Sequence, residues 1–168
     1  MNPLIPPSAG SEATGGSPPR PSAEPGSPAQ VASEFVHAVA WGEHLEVWKL
    51  FSSEARDLVL RVAVTRGMDD RLAGRLRDGT ATVAERDAFL GDLVNGLRTD
   101  LRGCDLDNLI YELDPDADGS DSNRAYLMVM TSTVNPQLGP PLPVASMELV
   151  REASRWRVER LLPRVKRS

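Results

Sequence analysis

The stretch MELVREASRWRVERL, residues 147–161, decides the fold of this chain. It holds two short runs in which apolar and polar residues alternate, and a polar break at residues 152–154 separates them. Alternation with a period of two is typical of β-strands, and so short a break is typical of a tight turn. Trp156 opens the second run with a large apolar side chain. The stretch therefore predicts a closing β-hairpin that packs against helices.

The residues before this hairpin follow a helical period first and a strand period afterwards. Helices are predicted from about residue 29 to Gly42, from Glu43 to about residue 51, behind Ser52 or Ser53, at residues 71–76, and behind the capping box that Thr82 and Glu85 form. Residues 109–113 and 125–134 then alternate as strands do. Because the helices precede the strands, the sequence predicts an α+β domain with an antiparallel sheet packed on N-terminal helices.

Two predicted helices have apolar stripes that suggest how they are buried. Ala32, Phe35, Val36, Val39 and Ala40 recur at helical spacing in the first helix. In the helix behind Ser52 or Ser53, the stripe consists of Leu58, Val59, Val62 and Ala63. Both stripes are expected to face the core.

The composition of the chain limits the classes of function that the protein can have. The 168 residues carry a net charge of −5, which argues against general binding to nucleic acid. A single cysteine, Cys104, excludes an internal disulfide and a cysteine-rich zinc site, and we expect no cofactor. No apolar run approaches the roughly 20 residues that cross a bilayer, and the N-terminus lacks the pattern of a secretory signal. We expect a cytoplasmic protein that does not bind a membrane.

The chain divides into three zones by composition. Residues 1–28 are rich in Pro, Gly and Ser, and they are expected to be a disordered tail because they cannot bury much apolar surface. This tail is either a solubilising leader or a polyproline ligand, since Pro18 and Pro21 satisfy the P-x-x-P pattern. Residues 29–163 are predicted to form one domain, and residues 164–168 form a basic C-terminal tail.

Two segments of the chain resemble the nuclear-transport-factor-2-like superfamily, which includes SnoaL-like cyclases and ketosteroid isomerase. One segment contains Ala32-Ser-Glu-Phe35, Gly42-Glu-His-Leu and Val47-Trp48-Lys-Leu-Phe51-Ser, and the other contains Met147-Glu-Leu-Val-Arg-Glu followed by Arg155-Trp156-Arg-Val158. Both resemble packing motifs of that family, and neither is catalytic. The chain departs from the family at residues 53–79, where members usually have a β-hairpin and this sequence predicts a helix and a charged connector.

The resemblance implies a curved antiparallel sheet that forms a cone-shaped roll, similar to that of cystatins, with a pocket between the first helix and the sheet. Members of the superfamily use such a pocket for catalysis or for plain binding, and many of them dimerise. Two functions therefore stay open. The first is a non-catalytic, homodimeric accessory domain that binds a hydrophobic small molecule or a protein. The alternative is a SnoaL-like or ketosteroid-isomerase-like lyase, cyclase or isomerase.

The candidate site residues follow from this expected pocket. Phe35, Tyr126, Met128 and Met130 are predicted to line it, with the Tyr126 hydroxyl as a hydrogen-bond donor. The catalytic candidates are Tyr126, Glu148 and His37. For Glu148 the sequence favours a cross-strand ion pair with an arginine such as Arg157 over a place inside the pocket.

Trp41 and an acidic segment at residues 114–119 are two further candidates for function. Trp41 lies on the polar side of the first helix, and an exposed tryptophan is a candidate for a homodimer interface. Asp114, Asp116, Asp118 and Gly119 match the first half of a calcium loop, but Ala125 stands where a bidentate glutamate is needed. We therefore predict an acidic turn and no metal site.

Overall fold

A computed structural model describes residues 25–117, 121–132 and 139–163. Five α-helices come first and four strands follow, which confirms the predicted α+β class. The helices are α1 (Pro28–Trp41), α2 (His44–Leu50), α3 (Ser53–Thr65), α4 (Asp70–Asp78) and α5 (Val83–Asp100), and a 3₁₀ turn (Leu106–Asn108) leads into β1 (Leu109–Leu113), β2 (Arg124–Thr131), β3 (Pro143–Glu152) and β4 (Arg155–Pro163).

The two tails and two turns lie wholly or partly outside the described residues. The structure does not describe most of the Pro-rich segment or residues 164–168. Asp118 and Gly119 of the acidic turn, and most of the loop after β2, also lie outside the described residues. None of the five described helices combines the length and the apolar character that crossing a bilayer requires.

Side-chain caps set where the helices begin. The Ser27 hydroxyl accepts a hydrogen bond from the backbone N–H of Gln30, and Pro28 occupies the first position of α1, where its missing N–H costs nothing. Thr82 and Glu85 form the predicted capping box at the start of α5. Gly42 follows α1 with a φ of 73°, a left-handed conformation that glycine adopts easily.

The interval 53–79 is largely helical, whereas the sequence predicts one helix followed by a charged connector. It contains α3 and α4, joined by a short turn, and α4 extends beyond the single helical turn expected at residues 71–76. Arg77 of α4 donates from Nε to Asp57 of α3 at 2.9 Å. A helix pair therefore stands where the resembled superfamily usually has a β-hairpin.

The strands form one antiparallel sheet in the order β1-β2-β3-β4. Successive residues of a strand point to opposite faces, and one face of this sheet is apolar and covered by α1. The core contains Ala32, Phe35, Val36 and Val39 of α1 together with Leu127, Val129, Met147, Leu149 and Val158 of the sheet. The predicted apolar stripe of α1 thus faces the core.

The closing hairpin forms as the sequence predicts, with a β-bulge in its second strand. Glu152 pairs with Arg155 across the turn. Farther along, Glu148 pairs with Arg160 and Leu149 with Val158, so Glu159 is the extra residue of the bulge. The bulge brings Glu159 into the interior next to Val158, where strict alternation would have turned it outward.

The two turn residues of this hairpin carry backbone strain. Ala153 and Ser154 have φ values of 46° and 65°, and among the described residues no other non-glycine has a positive φ. Two successive positive φ values define the type I′ turn, which favours Asn-Gly.

We expect the double substitution Ala153→Asn, Ser154→Gly to raise the free energy of unfolding by about 1 kcal/mol. The reason is that Asn and Gly adopt a positive φ at a lower cost than Ala and Ser do. Urea denaturation measures the gain. Ser122→Gly, at an exposed position without positive φ, is the control and is expected to give no gain. An equal gain in both variants would contradict the strain argument.

Candidate functional site

The space between α1 and the sheet is filled by side chains. Phe35 is fully buried, and its ring meets that of Phe51 edge to face with centroids 5.0 Å apart. Tyr111 of β1 is also largely buried here and hydrogen-bonds to Ser33 of α1, and burial raises the pKa of its hydroxyl. The side chain of Phe35 therefore packs in a closed core, in the place where the expected pocket would lie.

The other predicted pocket residues lie on different surfaces. Leu127 and Val129 point into the core, so the alternating neighbours Tyr126 and Met128 lie on the outer face of the sheet. Met130 is nearly buried beside an irregularity in the pairing of β2 with β3. The sheet itself thus separates Tyr126 and Met128 from Phe35.

Two of the three catalytic candidates meet on the outer face. Tyr126 is the register partner of Glu148. The Glu148 carboxylate forms an ion pair with Arg124, and Arg160 Nε lies 3.8 Å from its other oxygen. Tyr126 also hydrogen-bonds to Arg124. The predicted cross-strand ion pair of Glu148 therefore forms, but its partners are Arg124 and Arg160 in place of Arg157, which donates to the carbonyl of Lys49.

His37 and Trp41 lie apart from this cluster. Both are exposed on α1, with ring centroids 5.9 Å apart, and 69 % of the Trp41 surface is accessible. His37 therefore cannot act together with Tyr126 or Glu148, because α1 covers the opposite face of the sheet. Among the described residues, no group of three or more His, Cys, Asp or Glu side chains is arranged to hold a metal ion.

The apolar stripe of α3 does not face the core, which corrects the sequence prediction. Leu58 and Val62 are 41 % and 40 % exposed, while the fully buried residues of this helix are Ala55 and Leu60. The stripe was correctly recognised as apolar, but none of the other described helices and strands covers it. It instead forms one wall of an open groove.

This groove lies between α3, α4 and α5 and has a volume of about 780 Å³. Phe89 and Leu93 of α5 form the wall opposite α3, and Phe89 rests edge to face on Trp48 of α2. The apolar lining residues are Leu58, Val59, Val62, Ala63, Met68, Leu72, Ala88, Phe89 and Leu93. An apolar concavity of this size is the usual form of a small-molecule site.

Three charged residues complete the groove: Arg66, Glu85 and Asp92. Glu85 is already engaged, because its carboxylate accepts from Arg75 and from the backbone N–H of Thr82. These hydrogen bonds lower the pKa of Glu85, that from Arg75 most strongly. Arg66 and Asp92 are exposed, so they lie where the groove meets solvent.

A second group of polar residues lies where α3 meets the sheet. Ser52 is fully buried and caps α3, because its hydroxyl accepts from the backbone N–H of Ala55 at 3.0 Å. The same hydroxyl donates to the carboxyl of Glu159, which is only 7 % exposed. Burial raises the pKa of Glu159, and the neighbouring carboxyls of Glu54 and Glu148 raise it further against the hydrogen bond from Ser52.

Neither the groove nor Glu159 was found from the sequence, for different reasons. The exposed stripe of α3 has the same pattern as a buried one, so only the arrangement of the helices distinguishes them. Glu159 becomes buried because of a bulge, which changes the side of the strand that each residue faces. A charged residue directly after the strongly apolar position Val158 carries no signal of that change.

Comparison of this chain with protein-family models, with curated proteins and with solved structures finds no significant match.

Proposed function

We propose that this protein is a non-catalytic binding domain that holds a hydrophobic small molecule in the groove between α3, α4 and α5. The observation that carries the proposal is the exposure of Leu58 and Val62 at the wall of an apolar concavity of about 780 Å³. Apolar side chains in such a position gain free energy when a ligand removes them from water.

The lining defines the chemistry of the ligand. Nine of the twelve lining residues that the structure describes are apolar, and their side chains offer no hydrogen bond to a polar ligand group apart from the weak thioether of Met68. The ligand is therefore an apolar molecule, and any polar group that it carries points toward solvent near Arg66 and Asp92. A polar group placed deeper would lose its hydrogen bonds to water without replacement.

The enzyme alternative has less support. A ketosteroid-isomerase-like site needs a tyrosine and an acid in an apolar pocket. Tyr126 and Glu148 instead lie on the face of the sheet that points away from α1, where Arg124 forms an ion pair with the acid. The groove is lined by neither His nor Cys, and the carboxylate of Glu85 is held by Arg75.

The superfamily resemblance, the cone-shaped roll and the homodimer stay predictions. The filled space between α1 and the sheet and the helical interval 53–79 both differ from what the resemblance implies. For a homodimer, the exposed Trp41 is the surface residue that supports the proposal.

Nile red, an uncharged hydrophobic dye, tests the proposed groove. We expect saturable binding to the folded protein, with a blue-shifted emission. Val62→Glu places a charge on the groove wall and is expected to weaken this binding about tenfold or more, because the dye would have to desolvate a carboxylate. A fluorescence titration at constant salt measures the dissociation constant.

Val83→Glu is the matched control, because Val83 is 64 % exposed on α5 and does not line the groove. It is expected to leave dye binding unchanged, and far-UV circular dichroism checks that both variants keep their helices. The proposal fails if the dye does not bind saturably, or if Val62→Glu and wild type bind it equally well.

A further inference from the structure

Two arginines, one from α3 and one from β4, hold the end of α2. Arg56 of α3 donates from Nε to the carbonyl of Trp48 at 2.8 Å and from Nη2 to the carbonyl of Lys49 at 3.1 Å. Arg157 of β4 donates to the same Lys49 carbonyl at 2.7 Å. Because two of these hydrogen bonds end on one oxygen atom, the two guanidinium groups lie side by side.

Neither guanidinium group has a carboxylate partner. Among the described residues, no carboxylate oxygen lies within 4.0 Å of Arg56 or Arg157. The acid whose charge acts on Arg56 is Glu152. Its carboxylate already accepts hydrogen bonds from the backbone N–H and the hydroxyl of Ser53. This part of the domain therefore has two adjacent cations and one nearby acid that is engaged elsewhere.

The like charges of the two arginines repel each other. Burial lowers the pKa of Arg56, and the charge of Arg157 lowers it further, against the opposite effect of Glu152. The partial negative charge at the C-terminal end of α2 offsets some of the repulsion. The ammonium group of Lys49 adds little to this balance, because it pairs with Glu46 at 2.6 Å. An anion between the two guanidinium groups would remove the repulsion that is left.

The two side chains are held in place to receive such an anion. A guanidinium group has five N–H donors, and those that do not bond to α2 have no partner among the described residues. The ring of Trp48 lies against Arg56, with its centroid 5.5 Å from Cζ. Both arginines are half-buried, so small ions in the solvent still reach them. Binding therefore costs little side-chain entropy, because the carbonyls of α2 already fix both groups.

We propose that Arg56 and Arg157 together form a binding site for a phosphate group. A phosphate dianion offers two negative charges to the two guanidinium groups, and its oxygens match the paired N–H donors of arginine. Free inorganic phosphate and a small phosphate monoester present this same chemistry. Neither arginine belongs to the described lining of the groove between α3, α4 and α5, so the phosphate site is separate from the proposed ligand site.

Titration with inorganic phosphate tests the site. The titration is made at constant ionic strength in sodium chloride and at about pH 8, where phosphate is mostly a dianion. We expect isothermal titration calorimetry to give a dissociation constant of about 1 mM. In ¹H–¹⁵N NMR spectra of the wild type, the backbone amide signals of Lys49, Arg56 and Arg157 should shift and saturate with the same constant.

Arg157→Gln removes one of the two charges and is expected to weaken phosphate binding about tenfold or more. Arg155→Gln is the matched control, because Arg155 is an exposed residue of the same strand and its replacement changes the net charge equally. The control is expected to bind phosphate nearly as the wild type does. Far-UV circular dichroism checks that both variants fold.

Methyl phosphate separates the two sources of the phosphate group. Tighter binding than that of inorganic phosphate would indicate a monoester as the natural ligand, and weaker binding would indicate free phosphate; both results support the site. The inference is overturned if wild-type binding of phosphate does not saturate, or if Arg157→Gln binds phosphate as the wild type does. Equal weakening in Arg155→Gln would also overturn it, because the attraction would then be a general effect of charge. Nile red binding plays no part in these outcomes, so they separate this inference from the proposed function.

Discussion

Replacing Phe35 by Ala is expected to lower the free energy of unfolding by about 3–5 kcal/mol. The side chain is fully buried between α1 and the sheet and contacts the ring of Phe51, so its removal leaves a cavity in a filled core. Typical domains are stable by only about 5–15 kcal/mol, so a loss of this size would take a large share of the total. Urea denaturation with linear extrapolation measures it.

Trp41→Ala is the control on the same helix. Trp41 is larger than Phe35 but mostly exposed, and its truncation is expected to change the stability of the monomer by no more than about 0.5 kcal/mol. The comparison of Phe35→Ala with Trp41→Ala also tests whether a cavity lies between α1 and the sheet. A loss of less than about 1 kcal/mol in Phe35→Ala would indicate that the ring lines an open pocket. That result would support the predicted site between α1 and the sheet.

Ser52→Ala is expected to cost about 2–3 kcal/mol, the second largest effect. The substitution removes the cap that accepts from the N–H of Ala55, and it removes the donor to the buried carboxyl of Glu159. Loss of a cap alone costs typically about 1 kcal/mol, and a buried polar group left without its partner adds to that. Urea denaturation at a pH near 6 measures the change.

Thr82→Ala is the matched control for that substitution. Thr82 caps α5 in the same way, but its capping box is exposed and water can replace the lost hydrogen bond. Its loss should therefore cost about 1 kcal/mol. Equal losses in the two variants would show that Ser52 acts as a helix cap only and that its hydrogen bond to Glu159 adds no stability.

The sequence predicted the order and type of the elements because local patterns determine them. The alternation around residues 152–154 predicted the hairpin, and the capping box at Thr82 predicted the start of α5. The helix α3 was predicted correctly, although the resembled superfamily usually has a β-hairpin in this interval. Each of these predictions rests on residues close together in the chain.

What the sequence did not predict depends on contacts between distant residues. The stripe of Leu58 and Val62 is equally compatible with a core and with a groove, because a period of 3.6 residues says nothing about what covers the face. The burial of Glu159 depends on a bulge and on the approach of Ser52. The face of Tyr126 could be decided only by knowing which side of the sheet α1 covers.

The contact between Ser52 and Glu159 has a consequence for how the protein is made. The two residues lie 107 positions apart, and the backbone of Ser52 also bonds to β4 through Val158. Chains are synthesised from the N-terminus, so all five helices leave the ribosome before β4 does. A nascent chain that ends before residue 155 contains the described lining of the groove but lacks Glu159, the carboxyl to which Ser52 donates. Synthesis of β4 is therefore the step at which the groove wall acquires its final attachment.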